Sequence, residues 1–266
     1  FRPLIYCWRG GQRSKALAQI CSEIGWKSYI LDGGYKTYRR SVIQELEKTS
    51  NSLRLIVIGG RTGSAKTDVL AVLGQKGAQV LDLEDLASHR GSLLGEIKDK
   101  VQPSQRFFET KLNDQLLKFK PNLDIFVECE SSRIGAVQIP SDIWKKIIAA
   151  PMISISTPDS ARASYLLKNY SNLTKDISHL NKFVLGMLHR HGRDRTIVWQ
   201  KYIEMKNWKT LIMDLLENHY DPAYDRSILR HDRKVIAEIF QKNCDKQSVE
   251  ETVIKILSLQ KDRAEN

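Results

Sequence analysis

The chain has 266 residues, enough for roughly two domains at ~150 residues each, so small folds held by disulfides or metals are excluded. Forty-two Lys and Arg stand against 31 Asp and Glu, giving a net charge of +11, and 41% hydrophobic with 27% charged residues is a soluble composition suited to a polyanionic partner. The four cysteines form no C-x-x-C pair, which fits a reducing cytoplasm. No apolar run approaches the ~20 residues of a bilayer span, and Phe1-Arg2-Pro3 does not open a signal peptide, so membrane and secreted classes drop away.

Leu4-Ile5-Tyr6 reads as a short strand entering a Gly-rich turn. Apolar residues at 17, 20, 21 and 24 predict a helix from Ser14 to Ile24, and Ser28 to Leu31 a strand stopped by Asp32-Gly33-Gly34. The polar Glu45-to-Asn51 stretch reads as a domain junction. Beyond it, Leu53 to Ile58 is a buried-strand run, followed by a Gly-rich loop, a helix over Lys66 to Gln75 and a strand over Gln79 to Leu83. Phe107, Phe108, Leu112, Leu116 and Leu117 make a helical stripe. Asp124 to Val127 is a strand, Ile143 to Ile148 a helix and Met152 to Ile155 a strand. From Ser160 onward the pattern is nearly all helical, with Trp208, Leu211, Ile212, Leu215 and Leu216 on one face. Strands alternating with helices predict a parallel α/β sheet over 52–158, with a mainly helical part over 159–266.

Tyr6-Cys7-Trp8-Arg9-Gly10-Gly11-Gln12-Arg13-Ser14 sets a cysteine at a strand end, six residues before an arginine at a helix start. Backbone N–H groups and the helix N-terminus directed at the sulfur favour thiolate, and the same cradle suits an anion or a persulfide. Cys7 and Arg13 are therefore the catalytic candidates. The C-x5-R spacing is shared by rhodanese-type sulfurtransferases and cysteine phosphatases; the Tyr before Cys7 and Leu31-Asp32-Gly33-Gly34 after the helix resemble the former. Cys21, on the apolar face of that helix, reads as core.

Gly60-Arg61-Thr62-Gly63-Ser64-Ala65-Lys66-Thr67 follows an apolar strand and opens a helix, the context of a Walker A loop. Its amides would cradle a diphosphate, with Lys66 as a point charge on it and Thr67 placed to hold Mg²⁺. Ala65 stands where the motif has glycine, and is expected to tolerate positive φ poorly and to crowd the phosphate path. Ile125 to Ser131 is a strand ending in acids, making Glu128 and Glu130 the metal-side candidates. Cys129 between them has no second ligand pair and reads as a bystander.

Asp82 to Ser92 and Gln102 to Glu109 are dense in hydrogen-bonding groups. Ligands of open α/β sheets bind outside the carboxyl ends of strands, so these loops are expected to face the P-loop ligand. The basic excess is concentrated: residues 162–210 hold ten Lys and Arg against three acids, whereas 211–266 hold nine against eleven. There, His189 to Arg195 mixes cations with planar rings, and Tyr165, Tyr170, Trp199, Tyr202 and Trp208 are interspersed, as on RNA-binding surfaces. Arg190, Arg193 and Arg195 are the first nucleic-acid candidates; Lys36, Arg39 and Arg40 are the second.

The cysteine loop, Leu31-Asp32-Gly33-Gly34-Tyr35-Lys36-Thr37-Tyr38-Arg39-Arg40, the P-loop, Leu81 to Glu84, His89-Arg90-Gly91-Ser92, Gln102 to Gln105 and Val127 to Ser131 together resemble the bacterial tRNA 2-selenouridine synthase family. The resemblance implies a rhodanese-like domain fused to a P-loop domain. Residues 1–47 would be only the later part of the rhodanese-like unit, because the chain begins at the strand before Cys7. It implies replacement of sulfur by selenium in wobble 2-thiouridine of the tRNA anticodon loop, with selenophosphate as selenium donor and geranyl diphosphate forming an S-geranyl intermediate. A selenophosphate-supplying enzyme is then an implied partner. Two other readings stand beside it: a P-loop kinase or ATPase with a vestigial sulfurtransferase segment, and a non-catalytic tRNA-binding adaptor with an inert Cys7.

Overall fold

The computed structural model describes residues 1–89, 100–128, 131–169, 176–231 and 233–265. β1 (Leu4–Ile5), α1 (Gln12–Glu23) and β2 (Tyr29–Ile30) come first, with the two strands paired in parallel. Ile5, Ala18 and Cys21 close a small core there, so Cys21 packs as expected. α2 (Gly34–Ser50) follows. It runs through most of the stretch expected as a domain junction: Glu47 and Lys48 face solvent, while Val42 and Leu46 enter the core beneath the main sheet. The polar run is one face of a continuous helix rather than an irregular linker.

The chain continues through β3 (Leu55–Gly59), α3 (Lys66–Gln75), β4 (Gln79–Leu81), α4 (Leu83–Ala87), α5 (Gln105–Leu116) and β5 (Ile125–Val127). A short antiparallel hairpin, β6 (Arg133–Ile134) and β7 (Val137–Gln138), leads to α6 (Ser141–Ala149), β8 (Met152–Ser156) and α7 (Asp159–Asn169). Then come α8 (Ile177–Gly186), α9 (Leu188–Glu204), α10 (Trp208–Leu215), a π-helical turn over Leu216–Tyr220, α11 (Asp221–His231), β9 (Val235–Phe240) and α12 (Lys246–Glu265).

Five parallel strands form the sheet in the order β4-β5-β3-β8-β9. β3 is central and buried along its whole length, which is why its sequence is continuously apolar rather than alternating. One face packs against α2, α5 and α6 through residues such as Val42, Phe108 and Ile143; the other packs against α3 and α12 through Val69, Leu73, Val253 and Ile256. From β3 the chain crosses to the edge strand β4, returns to β5 beside β3, and then adds β8 and β9 on the other side, so the loop after β3 lies at the switch point where doubly wound sheets take ligands. The α/β architecture with a P-loop is the one the alternation predicted.

The last third differs from expectation. Leu180, Val184, Trp199, Ile203 and Leu211 make a helical core of their own, but Val235–Phe240 returns to the sheet beside β8 and α12 packs on α3. As an edge strand, β9 is only partly buried, so Glu238 breaks its apolar run and the signal is faint. Residues 235–265 thus complete the P-loop domain rather than extend the helical part. Among the described residues, no helix is long and apolar enough to cross a membrane.

Candidate active site

Cys7 lies two residues past β1, just ahead of the turn at Trp8 and Arg9. The Gly11 N–H donates to its Sγ at 3.2 Å, and the Ser14 hydroxyl lies 3.4 Å from the same sulfur. The thiol is pulled down to about 6, chiefly by Ser14, with burial opposing and backbone N–H groups of Ser14, Arg9 and Gly11 assisting. Thiolate therefore predominates at neutral pH. Arg13 is exposed on the first turn of α1, and Ser14 is the side chain against the sulfur. Ser14 is not singled out by the residue pattern, although its place in the first turn of the helix after the cysteine loop is visible there. The loop is braced from below by α2, whose Tyr35 and Lys36 N–H groups donate to the Cys7 and Trp8 carbonyls at 2.9 and 3.0 Å. A Cβ on Gly34 would collide with the Cys7 carbonyl, so only glycine admits this approach.

The P-loop curls from β3 into α3. Gly60 has φ +151 and a Cβ there would lie 2.8 Å from the Ile155 carbonyl; Gly63 has φ +87. Lys66 Nζ donates to the Gly60 carbonyl at 2.7 Å, and Ser64 Oγ to the Arg61 carbonyl at 2.7 Å. Ala65 adopts φ 56 and ψ 31, the left-handed region expected to strain it, and caps α3. Its methyl, however, is buried among the apolar residues between β3 and α3. The side chain thus faces the core, which removes the reason to expect it in the phosphate path.

Thr67 Oγ1 donates to Glu128 Oε1 at 2.9 Å, so α3 and the end of β5 bring two hard oxygen donors together. Mg²⁺ typically takes one or two protein oxygens and leaves its other positions to water and phosphate, so this pair fits it. Among the described residues no three His, Cys, Asp or Glu side chains cluster as a metal site. Glu130 and Cys129 lie outside the described residues.

Several groups around this loop were not anticipated. Tyr224 Oη accepts from the Gly60 N–H at 2.7 Å, and Arg61 donates to Asp225 at 2.8 Å. Arg162, fully buried, reaches the Thr62 carbonyl and Asp221, both at 2.9 Å through the same nitrogen. On the other side, Gln241 Nε2 donates to the Ser64 carbonyl at 3.2 Å, and the Cys244 thiol to the Gly63 carbonyl at 3.3 Å. Burial pushes Cys244 up to about 11, so unlike Cys7 it stays a thiol. These contacts join positions 59 or more residues apart, and no local pattern announces them.

The polar motifs expected to face the ligand are largely structural. Asp82 and Ser104 cap α4 and α5, while Gln102 and Gln105 hydrogen-bond the β6–β7 hairpin at Ile134, Ala136 and Gln138. His89 is buried; Arg90, Gly91 and Ser92 lie outside the described residues.

Of the basic candidates, Lys36, Arg40, Arg190 and Arg193 are exposed. Arg195 is held by Asp214 through two contacts at 3.0 and 3.1 Å. Arg39 is ion-paired with Glu109, tying α2 to α5. Each of these two arginines has a carboxylate partner within the fold, Arg195 among the first candidates and Arg39 among the second. Arg162 is buried, and Trp199, Tyr202 and Trp208 belong to the helical core. Tyr170 lies outside the described residues. His191 Nε2 and His219 Nδ1 meet at 2.8 Å beside Trp199. Burial first, then His191 and nearby arginines, push His219 down to about 4.

Residues 53–187 match the family model described as tRNA 2-selenouridine synthase AAA domain. The chain is 30% identical over 260 residues to a protein of Sulfurovum sp. (strain NBC37-1) named tRNA 2-selenouridine synthase, spanning 88% of this chain and 70% of the relative. A protein of the same name from Shewanella sediminis is 30% identical, covering 87% of this chain and 69% of its own length. One from Hahella chejuensis is 37% identical over 169 residues, covering 62% and 43%.

Proposed function

The chain belongs to the tRNA 2-selenouridine synthase family, and from that premise we propose that it replaces sulfur by selenium in the wobble 2-thiouridine of tRNA by way of an S-geranyl intermediate. The 2-thio sulfur attacks the first carbon of geranyl diphosphate; a C–S bond forms, the C–O bond breaks, diphosphate departs and the N3 proton passes to solvent. The amides of residues 61–67 and the Lys66 ammonium spread the charge of the leaving diphosphate. When bound, Mg²⁺ on Thr67 and Glu128 would add positive charge at that same group.

Alkylation makes the sulfur a better leaving group. Selenium from selenophosphate then adds at C2, geranyl thiolate leaves, and water releases phosphate from selenium. Cys7, thiolate at neutral pH, handles the selenium during this exchange. The wobble base lies in a single-stranded loop and reaches the site without melting a duplex. The setting is the cytoplasm, with an enzyme that makes selenophosphate as supplier.

The observation that carries this reading is the joining of two anion cradles, one holding a low-pKa cysteine and one built as a P-loop, through α2 packed on α5. Nucleoside mass spectrometry of tRNA from selenium-fed cells tests it. Wild type is expected to form 2-selenouridine, Lys66→Ala to leave 2-thiouridine unalkylated, and Cys7→Ser to bind tRNA without selenation. Rapid ATP turnover independent of tRNA, with no modified nucleoside, would support the kinase reading instead.

A further inference from the structure

Beside the Cys7 loop lies a row of rings that the reaction outlined above does not use. Trp8 stacks on Tyr35 with centroids 5.3 Å apart and planes at 27°, and Tyr35 meets Tyr38 at 6.0 Å. The guanidinium of Arg106, from the first turn of α5, lies 5.2 Å over the Trp8 ring. Burial normally claims tryptophan, yet Trp8 is 46% exposed and Tyr38 38%, and Phe107 next to Arg106 is 57% exposed. The charges around the row that face solvent are mostly cationic, Arg9, Lys36, Arg40 and Arg106, with Asp32 an exposed acid ahead of Tyr35. Glu109, an acid close by in sequence, is already neutralised by Arg39.

Exposed rings in a row, a guanidinium over one of them and surrounding cations are what an unstacked nucleobase with its flanking phosphates requires. A purely apolar partner would leave the cations unmatched, and an acidic peptide would leave the rings unused. We propose that Trp8, Tyr35 and Tyr38 form a stacking platform for a single unstacked RNA base, seated against the indole where Arg106 now lies. Arg106, exposed on the first turn of α5, is then available to that base's phosphate. Trp8 follows Cys7 directly, so the platform is built on the same loop as the thiolate. This deepens the tRNA reading above and rests on it: the seated base is the wobble pyrimidine at the selenium-handling stage.

The test is binding of an anticodon stem-loop RNA carrying 2-thiouridine at the wobble position, compared with the same RNA made abasic there, to wild type, Trp8→Ala, Trp8→Phe and Tyr38→Ala. Base stacking is worth roughly tenfold or more in affinity by alanine substitution. Trp8→Ala should therefore lose about that factor on the intact RNA and almost nothing further on the abasic RNA, while Trp8→Phe stays within roughly threefold of wild type. The slope of log affinity against log salt should be unchanged by Trp8→Ala, since stacking displaces no counterions. Cys7 alkylation with its low-pH profile retained shows that the loop is intact in each variant; where Trp8→Ala disturbs it, Trp8→Leu, which keeps bulk but removes the ring face, gives the same comparison, and Tyr38→Ala, beyond Tyr35 from the seat, loses less than Trp8→Ala. Losses from Trp8→Ala and the abasic site that simply add would overturn the platform while leaving the tRNA reading standing. Failure of wild type to bind the stem-loop at all overturns both.

Discussion

Arg162 and Asp221 form a buried two-point ion pair, with Nη1 on one carboxylate oxygen at 2.9 Å and Nη2 on the other at 2.7 Å. The same Nη1 reaches the Thr62 carbonyl, so a residue of α7 and a residue of α11 together set the back of the P-loop. Removing one partner of such a pair leaves an uncompensated buried charge. Asp221→Ala should destabilise the fold by about 3 to 5 kcal/mol. Asp159 also contacts Arg162, but is 60% exposed, so Asp159→Ala should cost about 1 kcal/mol or less. Urea unfolding of the two variants checks the contrast; equal losses would contradict it.

Ser14 supplies the largest pull on the Cys7 thiol. Its one hydroxyl hydrogen is shared between the sulfur and the Gly11 carbonyl, 2.9 Å away, and turns to the sulfur when thiolate forms. Ser14→Ala should move the thiol up from about 6 toward the ordinary cysteine value. The pH at which iodoacetamide alkylation reaches half its plateau should rise accordingly, and the alkylation rate at neutral pH should fall several-fold. A profile identical to wild type would assign the shift to the backbone amides alone.

Ala65 sits in the left-handed region with its methyl in the core. Glycine there would remove about 1 kcal/mol of backbone strain, lose about 0.8 kcal/mol of methyl burial and add about 0.5 kcal/mol of unfolded-chain freedom. These nearly offset, so Ala65→Gly should alter stability by less than about 1 kcal/mol. Calorimetry should show geranyl diphosphate affinity unchanged or slightly tighter, and clearly weaker binding by the glycine variant would show that the methyl matters to the ligand.

For tRNA, the structure separates arginines that the sequence treats alike. Arg190 and Arg193 are exposed, whereas Arg195 is engaged by Asp214. At ~0.7 counterions per contact on a single strand, replacing Arg190 and Arg193 by Ala should flatten the slope of log affinity against log salt by about 1.4 units. Arg195→Ala should leave that slope nearly unchanged. An unaltered slope in the double variant would move the phosphate contacts to Lys36 and Arg40.

The sequence by itself determined the features whose causes are local. Continuous apolar runs set β3, β5 and β8; a glycine-rich turn between strand and helix set the P-loop; Lys66 to Gln75 matched α3 at both ends. The Cys7 loop was likewise legible, because its glycines answer to backbone geometry within a few residues. Tertiary structure decided what depends on distant packing. Whether the polar face of α2 was a linker or the outside of a core helix turned on what lay beneath Val42 and Leu46. Whether Val235–Phe240 was a strand turned on the open edge of β8, because an edge strand needs a neighbour's hydrogen bonds more than a strong apolar pattern. Charge was legible as composition but not as role. Arg39 and Arg162 found carboxylates far along the chain, and only the fold brings opposite charges close enough to take such residues out of the solvent-facing set, whereas Arg195 pairs with Asp214 and stays exposed.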